Sequence, residues 1–155
     1  YDLRIPGSDR SILACDLDVS GHPVTVVVMH YSLLFMGVEV LKHSGIPAYM
    51  QTTTRMRSQE TDGLLAACDG LSGPMVVCGD FNAPPRDPEL LRLHARFRDA
   101  FSTAGLGFGH TFENDLPVVR IDYLMTSWDI DAEACQVLGQ QTSDHLPVRA
   151  ELRLP

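Results

Sequence analysis

At 155 residues, 45% of them apolar and 21% charged, with a mean hydropathy near zero, the composition is that of a globular chain of about one domain; disordered and collagen-like classes are excluded. The longest apolar stretch with few charges, Tyr31 to Leu41, contains Gly37 and Glu39 and is far shorter than the roughly 20 residues of a bilayer-crossing helix. Twelve Lys and Arg against twenty Asp and Glu leave a net charge of -8, which argues against a dedicated nucleic-acid-binding module but not against an enzyme that meets phosphate through a bound cation.

In chain order, residues 11–19 alternate, with Leu13, Cys15, Leu17 and Val19 on one face and Ala14, Asp16 and Asp18 on the outer one, the pattern of a half-buried strand. Gly21-His22-Pro23 turns the chain. Val24 to His30, apolar on nearly every position and rich in β-branched residues, reads as an interior strand that pairs with the first as an antiparallel hairpin. Residues 31–53 lack firm periodicity and read as a long excursion with one short helix, of the kind that shapes a functional rim. Residues 54–68 place Met56, Leu64, Ala67 and Cys68 on one helix face, weakened by Gly63.

Pro74 to Gly79 is a buried strand that delivers Asp80 at its C-terminal end. Asp87-Pro88-Glu89 starts a helix, along which Leu90, Leu93, His94, Phe97 and Phe101 form a stripe. Residues 118–126, 130–138 and 147–154 read as three more strands, the last with Val148, Ala150, Leu152 and Leu154 facing one way. The predicted class is α+β, with a mixed, mostly antiparallel sheet and flanking helices in one domain over 1–155. Cys15, Cys68, Cys78 and Cys135 form no C-x-x-C pair, so buried reduced thiols are expected rather than zinc or disulfides. The expected setting is cytoplasmic.

Three polar clusters fall at strand ends: Gly79-Asp80-Phe81-Asn82, Arg120-Ile121-Asp122-Tyr123 and Ser143-Asp144-His145. In this order and context they resemble the endonuclease/exonuclease/phosphatase superfamily of DNase-I-like, metal-dependent phosphoesterases. A G-D-F-N match arises by chance in roughly one chain in a thousand of this length, and two further motifs in the right order make coincidence remote. Met29-His30-Tyr31 is similar to the family's T-H-L position.

The resemblance implies a four-layered α/β sandwich and hydrolysis of a phosphodiester or phosphomonoester by in-line attack of water, with Mg2+, or Mn2+ in its place, as cofactor. It implies that Asp80 orients the water, that Asn82 contacts the phosphate, and that His145 donates to the phosphate with Asp122 holding its imidazole. Asp144 resembles the metal-side carboxylate, and His30 a second phosphate-facing imidazole. Arg120 is a candidate phosphate contact. Substrates within the resemblance include nucleic acids, phospholipid headgroups and small phosphodiesters. Each motif also has a plain structural reading: Asp80 and Asn82 as an Asx turn, Asp122 as a solvated strand residue, Ser143-Asp144 as the lead into the last strand, and Arg120 as a surface charge. His22, His43, His94 and His110 have no implied partner and are assigned to structure or solvent.

The resemblance maps onto the later part of the family's domain. The earlier half supplies an Asn and a metal-binding Glu, and the residues before His30 contain neither type. The missing N-terminal half is therefore the expected partner of this chain, which alone should bind Mg2+ weakly and turn over slowly or not at all. The rival reading is a catalytically defective relative serving as a binding module. A serine or cysteine hydrolase is less well supported, because no G-x-S-x-G elbow is present.

Overall fold

The computed structural model describes residues 2–5, 8–32, 38–112, 119–139 and 143–155, with the side chains of 38–50 not described. After the short strand β1 (Asp2–Arg4), the two N-terminal apolar runs become β2 (Ser11–Val19) and β3 (His22–His30). They form the expected hairpin, with Leu13 opposite Val28 and Val19 opposite His22. The turn is tighter than its sequence suggests. Ser20 and Gly21 make it, and His22 and Pro23 already belong to β3.

Helix α1 (Val38–Asp69) then carries the chain to β4 (Met75–Asp80), which pairs with β3 in parallel. The expected excursion is thus largely helical: α1 runs for 32 residues, through Gly45 and Pro47. The helix runs on despite the local penalties that glycine and proline carry in a helix interior. Residues 33–37 lie outside the described residues, and so do the side chains through which residues 38–50 were expected to shape a rim. Gly63 costs helix propensity for a packing reason. A Cβ there would sit 2.8 Å from the Ile5 side chain, so only glycine admits β1 and its extension against the helix.

The expected stripe from Leu90 to Phe101 is broken into three elements: α2 (Pro88–His94), β5 (Arg98–Asp99) and α3 (Ala100–Ala104). Asp87 caps α2 by accepting from Glu89 N at 2.9 Å. A second cap, Asp99, accepts from Phe101 N at 3.0 Å and restarts the helix, while Arg98 pairs with Thr126. A capping side chain and a sheet partner together override the single-helix periodicity. β6 (Asp122–Thr126), β7 (Asp131–Val137) and β8 (Val148–Arg153) complete the chain. β6 starts later than the sequence suggests, and Val118 lies outside the described residues.

The main sheet is six-stranded in the order β1-β2-β3-β4-β6-β5, and β7 with β8 form a separate antiparallel pair. Apart from the parallel β3–β4 pair, all neighbours are antiparallel. One face of the main sheet, with Ile12, Ala14, Val27, Met29, Val77 and Met125, packs with Leu64 and Cys68 of α1 and Leu90 and Leu93 of α2. On the other face Val24, Val76 and Ile130 pack with Leu152 and Leu154. The expected apolar side of β2 lies on this second face, where Leu13 is 56% and Leu17 45% exposed. The buried side of β2 is instead Ile12 and Ala14, because the helix layer lies there. Of the four cysteines, Cys68 and Cys135 are buried and Cys78 half-buried, but Cys15 is exposed; all are free thiols. No helix of the described residues is long and apolar enough to cross a membrane.

Candidate active site

Sheet register assembles the site. His30 ends β3 opposite Asp80 at the end of β4, and Asp80 is paired with Asp122 at the start of β6. Three neighbouring strands therefore present an imidazole and two carboxylates in one row at the sheet rim. His30 Nε2 lies 3.5 Å from Asp80 Oδ2, with the imidazole largely in solvent.

Gly79 explains the first residue of the G-D-F-N turn. Its φ is +143°, and a Cβ there would lie 1.8 Å from the Met29 carbonyl oxygen of the adjacent strand. Only glycine lets β4 run this close to β3 while turning Asp80 to the rim. The next residues lock the turn. Asn82 donates its backbone N–H to Asp80 Oδ1 at 2.8 Å and its side-chain amide to the Tyr31 carbonyl at 2.9 Å. Phe81 is fully buried, 5.0 Å from the Tyr31 ring and 5.7 Å from Tyr123. The structural reading of Asp80 and Asn82 as an Asx turn is thus present in the geometry, and it leaves Asp80 Oδ2 to face the His30 imidazole.

His145 arrives from the loop before β8. Its Nδ1 lies 2.9 Å from Asp122 Oδ2, which directs Nε2 away from the carboxylate. Phe112 packs its ring 4.8 Å from the imidazole. Thr111, buried, accepts from the backbone N–H groups of Ile121 and Asp122 at 3.1 Å each, and its carbonyl accepts from Leu146 N at 2.7 Å. One residue thereby ties the R-I-D-Y strand to the S-D-H loop. Asp144 is exposed and lines the same cavity as Asp80 and His145.

Burial raises the Asp80 carboxyl above its ordinary value; the Asn82 N–H opposes this, Asp122 adds to it, and the two imidazoles offset part. At His145 burial acts against the charged ring. The hydrogen bond and charge of Asp122, with Asp80 and Asp144 behind it, prevail and hold the imidazole above its ordinary 6.5. The pair of shifts makes a proton-accepting carboxylate and a proton-donating imidazole compatible in one cavity.

Among the described residues, Asp80, Asp122 and His145 form the one group with three ligand atoms all within 4.8 Å of one another. Two carboxylates there, with Asp144 on the same cavity, suit a hard divalent cation. Arg120 is placed elsewhere. Its side chain is 7% exposed and its guanidinium bonds Asp99 at 2.7 Å, with the Phe101 and Tyr123 ring centroids at 5.2 and 4.7 Å. The site thus gathers His30, Asp80, Asn82, Asp122, Asp144 and His145 but not Arg120.

Residues without a sequence signal also take part. Arg10, half-buried, lines the cavity and forms no ion pair among the described residues. From α1, Arg57 binds Asp87 at 3.0 Å and reaches the Phe81 carbonyl. Glu60, fully buried, accepts from Ser32 N and Oγ at 3.0 and 2.5 Å. Arg57 thus braces the chain beside Asn82, and Glu60 holds the residue after Tyr31, whose carbonyl Asn82 bonds. Nothing in a single sequence marks them, because their partners lie about 25 to 30 positions away.

The sequence profile of the Endonuclease/Exonuclease/phosphatase family matches residues 5–145. No curated protein matches. Among solved structures, an endonuclease/exonuclease/phosphatase protein from Bacteroides vulgatus superposes with TM-score 0.72 at 20% identity, over 94% of this chain and 56% of its own. A mannosyl-6-phosphatase from Bacteroides thetaiotaomicron gives 0.73 at 16%, over 94% and 57%. The catalytic domain of human Nocturnin, with bound sulfate, gives 0.69 at 18%, over 100% and 58%. The chain thus spans a little over half the length of these structures, and its fold is DNase-I-like. With the three motifs meeting at one sheet rim and the profile matched over nearly its whole length, the chain belongs to the endonuclease/exonuclease/phosphatase family.

Proposed function

We propose that this chain carries the water-activating and phosphate-binding half of a divalent-metal-dependent phosphoesterase, with Mg2+ or Mn2+ as the cation. The observation that carries this reading is the His30–Asp80–Asp122 row, with His145 bonded to Asp122 at 2.9 Å. Asp80 accepts a hydrogen bond from the attacking water and takes its proton. His145, protonated, donates through Nε2 to a phosphoryl oxygen, while Asp122 fixes the ring and sustains its charge. Asn82 has spent one amide hydrogen on Tyr31 and directs the other to the phosphate, and His30 offers a second donor across the cavity. Asp144, with Asp80 and Asp122 nearby, would hold the cation, which when bound neutralises phosphoryl charge.

The partner we propose is the remainder of the domain. The exposed Leu13, Leu17, Val19 and Val28 side chains form an apolar sheet face of the kind that soluble proteins cover, and the solved relatives are longer. That remainder would supply the further metal ligand.

The test is hydrolysis of simple phosphomono- and diesters by the full reading frame that contains this chain. Activity should vanish in EDTA and return with Mg2+ or Mn2+; activity indifferent to EDTA defeats the proposal. Its pH profile carries a second expectation. Because the His145 pKa is raised, the donating form persists above pH 6.5 and is lost as pH rises through the raised value. Asp122→Asn should shift that basic limb to lower pH, and an unmoved limb removes His145 from the donor role.

A further inference from the structure

Thr111 lies in neither a helix nor a strand, yet it is fully buried and each of its polar atoms is engaged. Its N–H donates to the Val119 carbonyl at 2.8 Å, and its own carbonyl accepts from Leu146 N at 2.7 Å. Its hydroxyl oxygen accepts from Ile121 N and Asp122 N, at 3.1 Å each. In a straight strand, successive backbone N–H groups point to opposite edges, so one neighbouring strand pairs with only one of two consecutive groups. At Ile121 and Asp122, where β6 begins, both converge on one hydroxyl instead. A buried N–H without an acceptor is costly, and the two lone pairs of a hydroxyl serve both.

The same residue holds the other half of the Asp122–His145 pair. Leu146 N belongs to the peptide that immediately follows His145, and Phe112 forms isolated antiparallel bridges with both His145 and Val119. The N–H of His145 itself is bonded within its loop, to Ser143 Oγ at 3.1 Å, which does not tie that loop to β6. Peptides adjoining two residues 23 positions apart are thus anchored on two oxygens of one buried residue. The only side-chain torsion between those oxygens is χ1, which a β-branched residue restricts.

Resting on the phosphoesterase reading above, we propose that Thr111 is a positioning residue for the reaction: without touching substrate, it sets the separation of Asp122 and His145 at which the imidazole meets the phosphate. Without its hydroxyl, the start of β6 and the loop before β8 would shift independently of each other. A reacting group misplaced by about 1 Å loses about a hundredfold in rate.

The test uses the full reading frame that contains this chain. Thr111→Val keeps the shape and removes the hydroxyl, and it should lower kcat about a hundredfold with little change in KM. Thr111→Ser, which keeps the hydroxyl, should restore kcat to near that of the parent. A second readout needs no turnover. In proton NMR in EDTA, the His145 Nδ1 proton bonded to Asp122 should give a low-field resonance that His145→Gln removes. That resonance should survive Thr111→Ser and vanish in Thr111→Val. If Thr111→Val does not fold, Thr111→Cys takes its place, since sulfur is a weak acceptor on longer bonds, and both readouts should fall below those of Thr111→Ser. A variant without the hydroxyl that keeps both kcat per folded molecule and the resonance, losing only thermal stability, overturns the proposal. So does a loss of kcat with the resonance intact. EDTA-insensitive hydrolysis, or none, in a parent whose resonance follows the variant series would instead defeat the phosphoesterase reading and leave the placement of the pair standing.

Discussion

Substituting Asp80 by Asn in the full reading frame is expected to lower kcat for phosphoester hydrolysis by roughly a thousandfold, within the range that loss of a general base produces. The same change should leave the fold slightly more stable. Asp80 Oδ1 receives the Asn82 N–H, and the amide oxygen of asparagine can still accept that bond, if less strongly than a carboxylate, so the turn is kept. What is removed is a carboxylate that burial penalises and that faces Asp122 across the β4–β6 pair. The sign follows from the direction of the shift. A carboxyl held above its unfolded value costs stability at neutral pH, where both states are ionised, and that cost disappears below the unfolded value of 3.8. Thermal unfolding in EDTA at pH 7 should therefore show Asp80→Asn melting a few degrees above the parent, while the two converge in acid. A variant both active and less stable would show that Asp80 is a turn residue and that the proton acceptor lies elsewhere.

The second large effect concerns the pair beside the site. Asp99→Ala should destabilise the protein by about 4 kcal/mol, combining about 1 kcal/mol for a lost helix cap with roughly 3 kcal/mol or more for leaving the Arg120 charge buried without its partner. Asp99 is 3% exposed at its side chain; it accepts from Phe101 N and from Ser102 Oγ at 2.6 Å besides Arg120. Against a total stability of about 5–15 kcal/mol, such a loss is readily measured by urea unfolding. Removing both charges, in Asp99→Asn/Arg120→Met, should cost clearly less than Asp99→Ala, because no buried charge is stranded. If Asp99→Ala falls within 1 kcal/mol of the parent, a threshold set by exposed ion pairs, the pair contributes no more than a surface contact. Arg120 stands two residues before Asp122, so the ion pair also fixes where β6 begins.

Strand signals were legible because their period is local. Alternation along β2, the β-branched run of β3 and the abrupt end of β4 at Asp80 are written within a few residues of each other, and the three motifs at strand ends are as short. The one-helix stripe from Leu90 to Phe101 failed for the opposite reason. A cap at Asp99 and a sheet partner for Arg98 act from outside the window in which helical periodicity is read. Residues 38–53 misled because glycine and proline argue locally against a helix, and α1 nevertheless runs through both.

The candidate site divides along this line. The sequence by itself determined which side chains are the candidates for the site, since His30, Asp80, Asn82, Asp122, Asp144 and His145 stand in recognisable motifs. Only the tertiary structure decided that they meet. Asp80 and Asp122 are brought side by side by β-sheet register, and His145 by a hydrogen bond spanning 23 positions. It also decided that Arg120 turns inward to Asp99, that Arg10 and Phe112 belong to the cavity, and which face of β2 the helices cover. Side-chain type and short spacing are properties of the local chain, whereas register, burial and ion-pair choice depend on which distant segment wins the contact, and that competition is settled only when the whole sheet has formed.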